Sequence, residues 1–183
     1  MLTFGELCKD PALFATLGGD DLLVTAAGSG EVLAREPERR REATVIFQHE
    51  TIQMMRAGRA ETVDKLLTLV GKGSEVVRLC KKPESLWDNI TVGRASTADV
   101  VIDDPAISSV HANFAIDYGD GSCSVEDVGS SNGTFLNRQQ LQPHTPVGLK
   151  AGDCLRFGQS VFYYLTNSML AELVTAAQSK SRR

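Results

Sequence analysis

Several features that would fix a function class are missing from this chain of 183 residues. Its four cysteines, Cys8, Cys80, Cys123 and Cys154, lie far apart and never in Cys-x-x-Cys spacing. That argues against a metal site and favours reduced thiols. No run approaches the roughly 20 apolar residues a membrane helix needs. Met1-Leu2-Thr3-Phe4-Gly5-Glu6 lacks the basic start and unbroken apolar stretch of a secretion signal, so a cytoplasmic protein is expected. Net charge is small, formally −4. Arg39 to Arg41 is interleaved with Glu36, Glu38 and Glu42, and Lys180 to Arg183 is short. Both read as solvated surface, not as a nucleic-acid interface. Also missing are a Gly-rich phosphate loop followed by Lys, a Ser/His/Asp set at recognisable spacing, and a carboxylate pair with context. Gly28-Ser29-Gly30 is read as a turn. Catalysis is not expected, and no cofactor or metal is called for.

What is present changes character near Gly71-Lys72-Gly73. Before it, the pattern is mostly helical: Val63, Leu66, Leu67 and Val70 fall at helix spacing, with Gly71 as a stop. Ala43 to Met55 reads as an earlier helix, although Thr44-Val45-Ile46-Phe47 also fits a strand. Leu22-Leu23-Val24 is a short apolar run among glycines that the pattern alone does not assign. After Gly73, strand-like runs follow one another: Glu75 to Cys80, Asn89 to Val92, Val100 to Ile102, Ala112 to Asp117, Cys123 to Asp127, Cys154 to Phe157 and Val161 to Leu165. Turn chemistry separates them, which predicts a β-sandwich. Leu170, Leu173 and Val174 predict a last helix from about Ser168 to Ala177, and Gln178 to Arg183 reads as a disordered tail.

Within this β region four short motifs occur in order: Gly93-Arg94, Ser108-Ser109-Val110-His111, Asp127-Val128-Gly129-Ser130-Ser131-Asn132-Gly133-Thr134, and Asn137. The residue types suit a phosphate dianion, which needs a cation, neutral donors and an incompletely buried seat. Arg94 gives a permanently charged planar fork directly after a strand, with Gly93 read as permitting an unusual backbone. Ser108 gives a hydroxyl donor, and the amide of Asn132 can both donate to and accept from a peptide backbone.

The ordered set resembles the forkhead-associated (FHA) domain pattern, from about Gly73 to Thr166. The resemblance implies a mainly β fold: an FHA-type β-sandwich over 73–166, a largely helical N-terminal extension over 1–72, and a C-terminal helix and basic tail over 167–183. It implies phosphopeptide binding by Arg94, Ser108, Ser109, Ser131 and Asn132. Gly93, His111, Gly133, Thr134 and Asn137 are implied to be structural supports, His111 by bracing the loops. The implied partner is a threonine-phosphorylated protein or peptide, a serine/threonine kinase or its substrate. A second copy of the chain is a further candidate, through Thr16, Thr25, Thr44, Thr51 or Thr62. His49 and His144 have no motif context and read as surface residues.

One position departs from the family pattern. Ser109 stands where a basic residue or Asn is common, so a positive charge is missing. A phosphate-independent scaffold or oligomerisation module on a degenerate FHA sandwich is therefore the alternative function. The loop Asp104-Pro105-Ala106-Ile107 has no arginine, so an apolar preference at the third residue after the phosphothreonine is expected. The N-terminal region either binds a partner or covers one face of the sandwich.

Overall fold

The structure, a computed structural model, describes residues 2–19, 21–27 and 59–181. The readings at Gly28-Ser29-Gly30, Arg39 to Arg41, Ala43 to Met55, His49, Thr44 and Thr51 lie outside the described residues.

Among the described residues, twelve short strands form two sheets. They are β1 (Leu2–Thr3), β2 (Leu22–Thr25), β3 (Glu75–Arg78), β4 (Ile90–Gly93), β5 (Val100–Val101), β6 (Ala112–Ile116), β7 (Cys123–Asp127), β8 (Thr134–Leu136), β9 (Gln139–Gln140), β10 (Val147–Gly148), β11 (Cys154–Phe157) and β12 (Ser160–Leu165). One sheet runs β1-β3-β2-β12-β11-β8-β9 and the other β10-β7-β6-β4-β5. All pairings are antiparallel except β4 with β5. The helices of the described residues are α1 (Phe4–Lys9), a 3-10 helix (Pro11–Leu17), α2 (Arg59–Leu69) and α3 (Asn167–Ser181). No helix of the described residues is long and apolar enough to cross a membrane.

The period-2 geometry of strands explains why the molecule has three layers. On β12, Phe162 and Tyr164 enter the core between the sheets, while Tyr163 and Leu165 enter a second core beneath the helices. On β2 the same alternation sends Leu23 inward and Leu22 and Val24 outward. Leu7, Leu66, Leu170 and Leu173, all fully buried, close the outer core from α1, α2 and α3. Burying such side chains is worth about 1.5–3 kcal/mol each, which is ample reason for the helices to stay docked. Lys180 of α3 also pairs with Asp64 of α2 at 3.0 Å.

The mainly β sandwich read from the pattern is present, with the last helix, and the described N-terminal residues carry helices that cover one face. Two boundaries differ from the sequence reading, and the run it left unassigned is a strand. The change of pattern at 72/73 is not a break in the sheet, because β1 and β2 lie before it and both pair with β3. Tertiary pairing makes Leu22-Leu23-Val24 a strand, and a run buried on both faces carries no alternation to show it. The expected disordered tail is helical through Ser181, where the Gln178 amide donates to the Cys8 carbonyl at 2.9 Å. Asn137 and Arg138 turn β8 into β9 with φ of 47° and 79°. Two positive φ values in a two-residue hairpin match a type I′ turn, which asparagine tolerates and arginine does not. An Arg138→Gly variant is expected to raise stability by about 0.5–1 kcal/mol, measured by urea denaturation.

Candidate functional site

Strand register brings the four motifs to one end of the sandwich. Val92 pairs with Ala112, Ala112 with Asp127, and Phe157 with both Thr134 and Ser160. The loops 94–99, 102–111, 128–133 and 158–159 therefore emerge together, the first two from the β4 sheet, the last from the β11 sheet, and 128–133 crossing from one to the other.

The first two loops are bound backbone to backbone. Arg94 N–H donates to Ser108 O at 2.9 Å, Ala95 N–H to Ser109 O at 3.1 Å, and Ile102 N–H to Gly93 O at 2.9 Å. This explains Gly93 differently from the sequence reading. Its φ is not positive, but a Cβ there would sit 2.2 Å from Ser109 O. Close approach of the crossing loop, not unusual backbone, demands glycine. Asp99 fastens the far end of the Arg94 loop by accepting from Thr91 and Lys82 N–H, at 2.8 and 3.0 Å. The Lys82 ammonium reaches Ser96 O at 2.6 Å.

Three further side chains join the 102–111 loop to the 128–133 loop. His111 is fully buried, stacked edge-on against Phe157 at 5.4 Å between centroids. Its Nδ1 accepts from Ser108 N–H at 3.2 Å, and its Nε2 lies 3.3 Å from Gly133 O. A nitrogen facing an N–H must accept and one facing a carbonyl must donate, so the ring is the neutral Nε2–H tautomer. Ser108 Oγ accepts from Ser131 N–H at 3.0 Å and approaches Ser131 Oγ at 3.4 Å. Asn132 Nδ2 donates to Ala106 O at 2.8 Å.

Burial pushes the His111 pKa down, while the Gly133 carbonyl and the Asp127 charge pull it partly back. A folded value below the unfolded one, about 6.5, means that the unfolded chain takes up the proton first. Stability is thus complete above about pH 6.5 and lost as pH falls through the lower folded value. Melting temperatures should decline on acidification from pH 7 to 5, and His111→Gln should flatten that decline.

Asp127 organises the third loop. Its Oδ1 accepts from Gly129 and Ser130 N–H at 2.8 and 3.0 Å. Its Oδ2 accepts from the Ser130 and Thr134 hydroxyls, each at 2.6 Å. Burial pushes its pKa up, but those four donors outweigh burial and leave it lowered. Gly133, at φ 74°, turns the chain back into β8. Asn137 donates to Asp153 at 2.7 Å and accepts from Cys154 N–H at 3.0 Å, which ties β8 to β11.

On this frame Arg94, Ser109, Ser131 and Asn132 are exposed and Ser108 half-buried. Arg94 Nε donates to Ile107 O at 3.3 Å. Among the described residues no carboxylate stands within ion-pair distance of its guanidinium. Of Asp104-Pro105-Ala106-Ile107, Asp104 and Ile107 are buried, so Pro105 and Ala106 form the outward surface. Two contributors have no motif and were not singled out from sequence. Asp104 accepts from Ala106 N–H at 2.8 Å and from the Ser160 hydroxyl of the opposite sheet. Gly158 packs under both loops. His144 is exposed, stands 3.6 Å from Glu126, and lies beside the 128–133 loop, its backbone N–H donating to Asp127 O at 2.8 Å and its ring next to Gly129. Thr25 accepts from Glu75 N–H within the sheet and Thr62 is buried, whereas Thr16 is exposed.

The FHA domain model matches residues 90–158, from the start of β4 to the turn after β11. An oxoglutarate dehydrogenase inhibitor of Corynebacterium efficiens is 32% identical over 136 residues, covering 70% of this chain and 92% of that protein. The chain belongs to the FHA domain family. FHA domains are protein-interaction modules. A protein phosphatase 1 regulatory inhibitor subunit homologue of Arabidopsis thaliana is 41% identical over 69 residues, and there the chain spans only 18% of the relative. Among solved structures, an FHA domain described for phosphothreonine-dependent interactions aligns over 52% of this chain and 88% of its own. That alignment has 24% identity and a TM-score of 0.43.

Proposed function

We propose that this FHA chain is a cytoplasmic phosphothreonine-peptide-binding adaptor in serine/threonine kinase signalling. The observation that carries the reading is Arg94: an exposed guanidinium on a locked backbone, without an acidic partner among the described residues, beside the Ser108 hydroxyl. A phosphate dianion supplies the missing counter-charge. Arg94, Ser108 and Ser109 surround the phosphate, and Ser131 and Asn132 hold the threonine and its neighbouring backbone. The unmodified hydroxyl offers Arg94 no anion, so phosphorylation switches affinity. Binding is reversible, without catalysis, metal or cofactor. The relative that inhibits oxoglutarate dehydrogenase makes a metabolic enzyme of that class one candidate partner.

One observation favours the second reading, a phosphate-independent scaffold. Leu86, Trp87 and Tyr118 are 95%, 70% and 82% exposed. They precede β4 and follow β6, at the end of the sandwich away from Arg94. Capture from a degenerate phosphothreonine peptide library, against its unphosphorylated counterpart, separates the two. Phosphate-dependent capture supports the adaptor. Equal or no capture by folded protein rejects it.

A further inference from the structure

The side chains that prepare the site extend beyond the motif residues. Leu155 and Phe157 of β11 enter the sandwich core, so Arg156 between them is turned to the opposite face of the sheet. There it meets Phe135, its register partner on β8. The guanidinium carbon lies 3.5 Å above the Phe135 ring centre, and Nη1 donates to the Gly158 carbonyl. Such stacking holds the guanidinium plane while its edge makes the hydrogen bond.

Gly158 is where this arrangement touches the ligand loops. Its φ is 58°, and a Cβ there would lie 2.6 Å from Ala106 O and 3.3 Å from the Asn132 Cβ. Its N–H donates to Gly133 O at 3.1 Å. The Gly158 residue is therefore wedged beneath both loops and anchored on two sides, by Gly133 through its N–H and by Arg156 through its carbonyl. Ala106 O accepts from Asn132 Nδ2, and a carbonyl only accepts. That contact fixes which way the Asn132 amide faces.

We infer that Arg156, acting through Gly158, is a positioning residue that holds the Asn132 amide in its ligand-binding orientation. The inference deepens the phosphothreonine reading and rests on it for its effect on affinity. Without Arg156 the Gly158 carbonyl loses its anchor, the turn relaxes, and Asn132 spends less time bonded to Ala106. Arg94 and Ser108 are fastened by separate hydrogen bonds and are unaffected.

The test uses the full chain with Arg156→Met, which keeps an apolar stem over Phe135 but has no donor. In ligand-free protein, the side-chain amide proton resonances of Asn132 should shift and exchange faster with water. With a phosphothreonine peptide recovered from the library, Arg156→Met should weaken binding about tenfold, the loss of roughly one hydrogen bond. In an Asn132→Ala background the same substitution should change affinity less than twofold. A residue that merely stabilised the fold would weaken binding equally in both backgrounds, and that result overturns the inference. So do unmoved Asn132 resonances. Arg156→Lys, which keeps a donor, should recover part of the affinity. If Arg156→Met does not fold, Phe135→Leu replaces it: the platform is removed and the same Asn132 resonances must move. Failure of the wild-type protein to bind any phosphothreonine peptide would reject the site reading, while the ligand-free resonances would still decide the role of Arg156.

Discussion

Replacing Arg94 by alanine is expected to weaken phosphothreonine peptide binding about 100-fold while leaving the melting temperature within a degree or two of wild type. The two halves of this expectation come from different parts of the same residue. The backbone of Arg94 ties its loop to Ser108, and alanine preserves that bond. The side chain is exposed and has one internal hydrogen bond, to Ile107 O, so little stability is lost. In the proposed complex that side chain is the principal cation facing the dianion. Truncating one member of a close charge pair costs about 2–5 kcal/mol, and the lower half of that range gives the stated loss. Ser109 supplies the converse test. It is exposed on the crossing loop and already held by its carbonyl to Ala95 N–H, so a new side chain there does not disturb the frame. Ser109→Arg should tighten phosphopeptide binding roughly tenfold by adding a charge-assisted hydrogen bond. Calorimetric titration of both variants checks the pair. Unchanged affinity in Arg94→Ala would remove the phosphate reading altogether.

How far the molecule was legible from its residues depends on where each constraint acts. Gly93, Arg94, Ser108, His111, Asp127 and Asn132 stand out because their chemistry must sit at loop ends, at spacings set by the strands between them. The role of Gly93 was misread because a positive φ and a crossing backbone both select glycine, and sequence does not separate them. Asp104 and Gly158 were missed because their partners are distant along the chain: Asp104 meets Ser160, 56 residues away. Gly158 packs on Ala106 and Asn132 only once the two sheets are face to face. The helix α2 was legible from Val63, Leu66, Leu67 and Val70, since a stripe needs no knowledge of what covers it. The strand β2 was not. Its residues are buried from both sides, and both β3 and β12 are more than 50 positions away. Strands β8, β9 and β10, of two or three residues, are too short for any periodicity to register.

The largest effect on stability is expected at Asp127. Its carboxylate is 2% exposed and accepts from two N–H groups and two hydroxyls. Asp127→Ala strands the N–H groups of Gly129 and Ser130 in a partly closed loop and removes the acceptor of the buried Thr134 hydroxyl. Breaking such a buried network costs about 3–5 kcal/mol, which for a chain of this size lowers the melting temperature by roughly 6–20 °C. Asp127→Asn should cost less, because one amide oxygen remains to accept, but its NH2 faces donors where the second oxygen faced them. The pH dependence of the wild-type protein has a fixed sign. With the folded pKa lowered below the unfolded value of about 3.9, the Asp127 contribution is complete above that value and disappears as pH falls through the folded one. The Asp127 loss begins only below about pH 3.9, whereas that of His111 begins at about 6.5. The low-pH loss should be smaller in Asp127→Ala, with Asp99, where burial is likewise outweighed by hydrogen bonds that hold it below its ordinary value, still contributing. The loss of affinity in this variant should exceed that of any single exposed ligand residue other than Arg94. The 128–133 loop carries both Ser131 and Asn132, and without Asp127 neither is held in place before the peptide arrives.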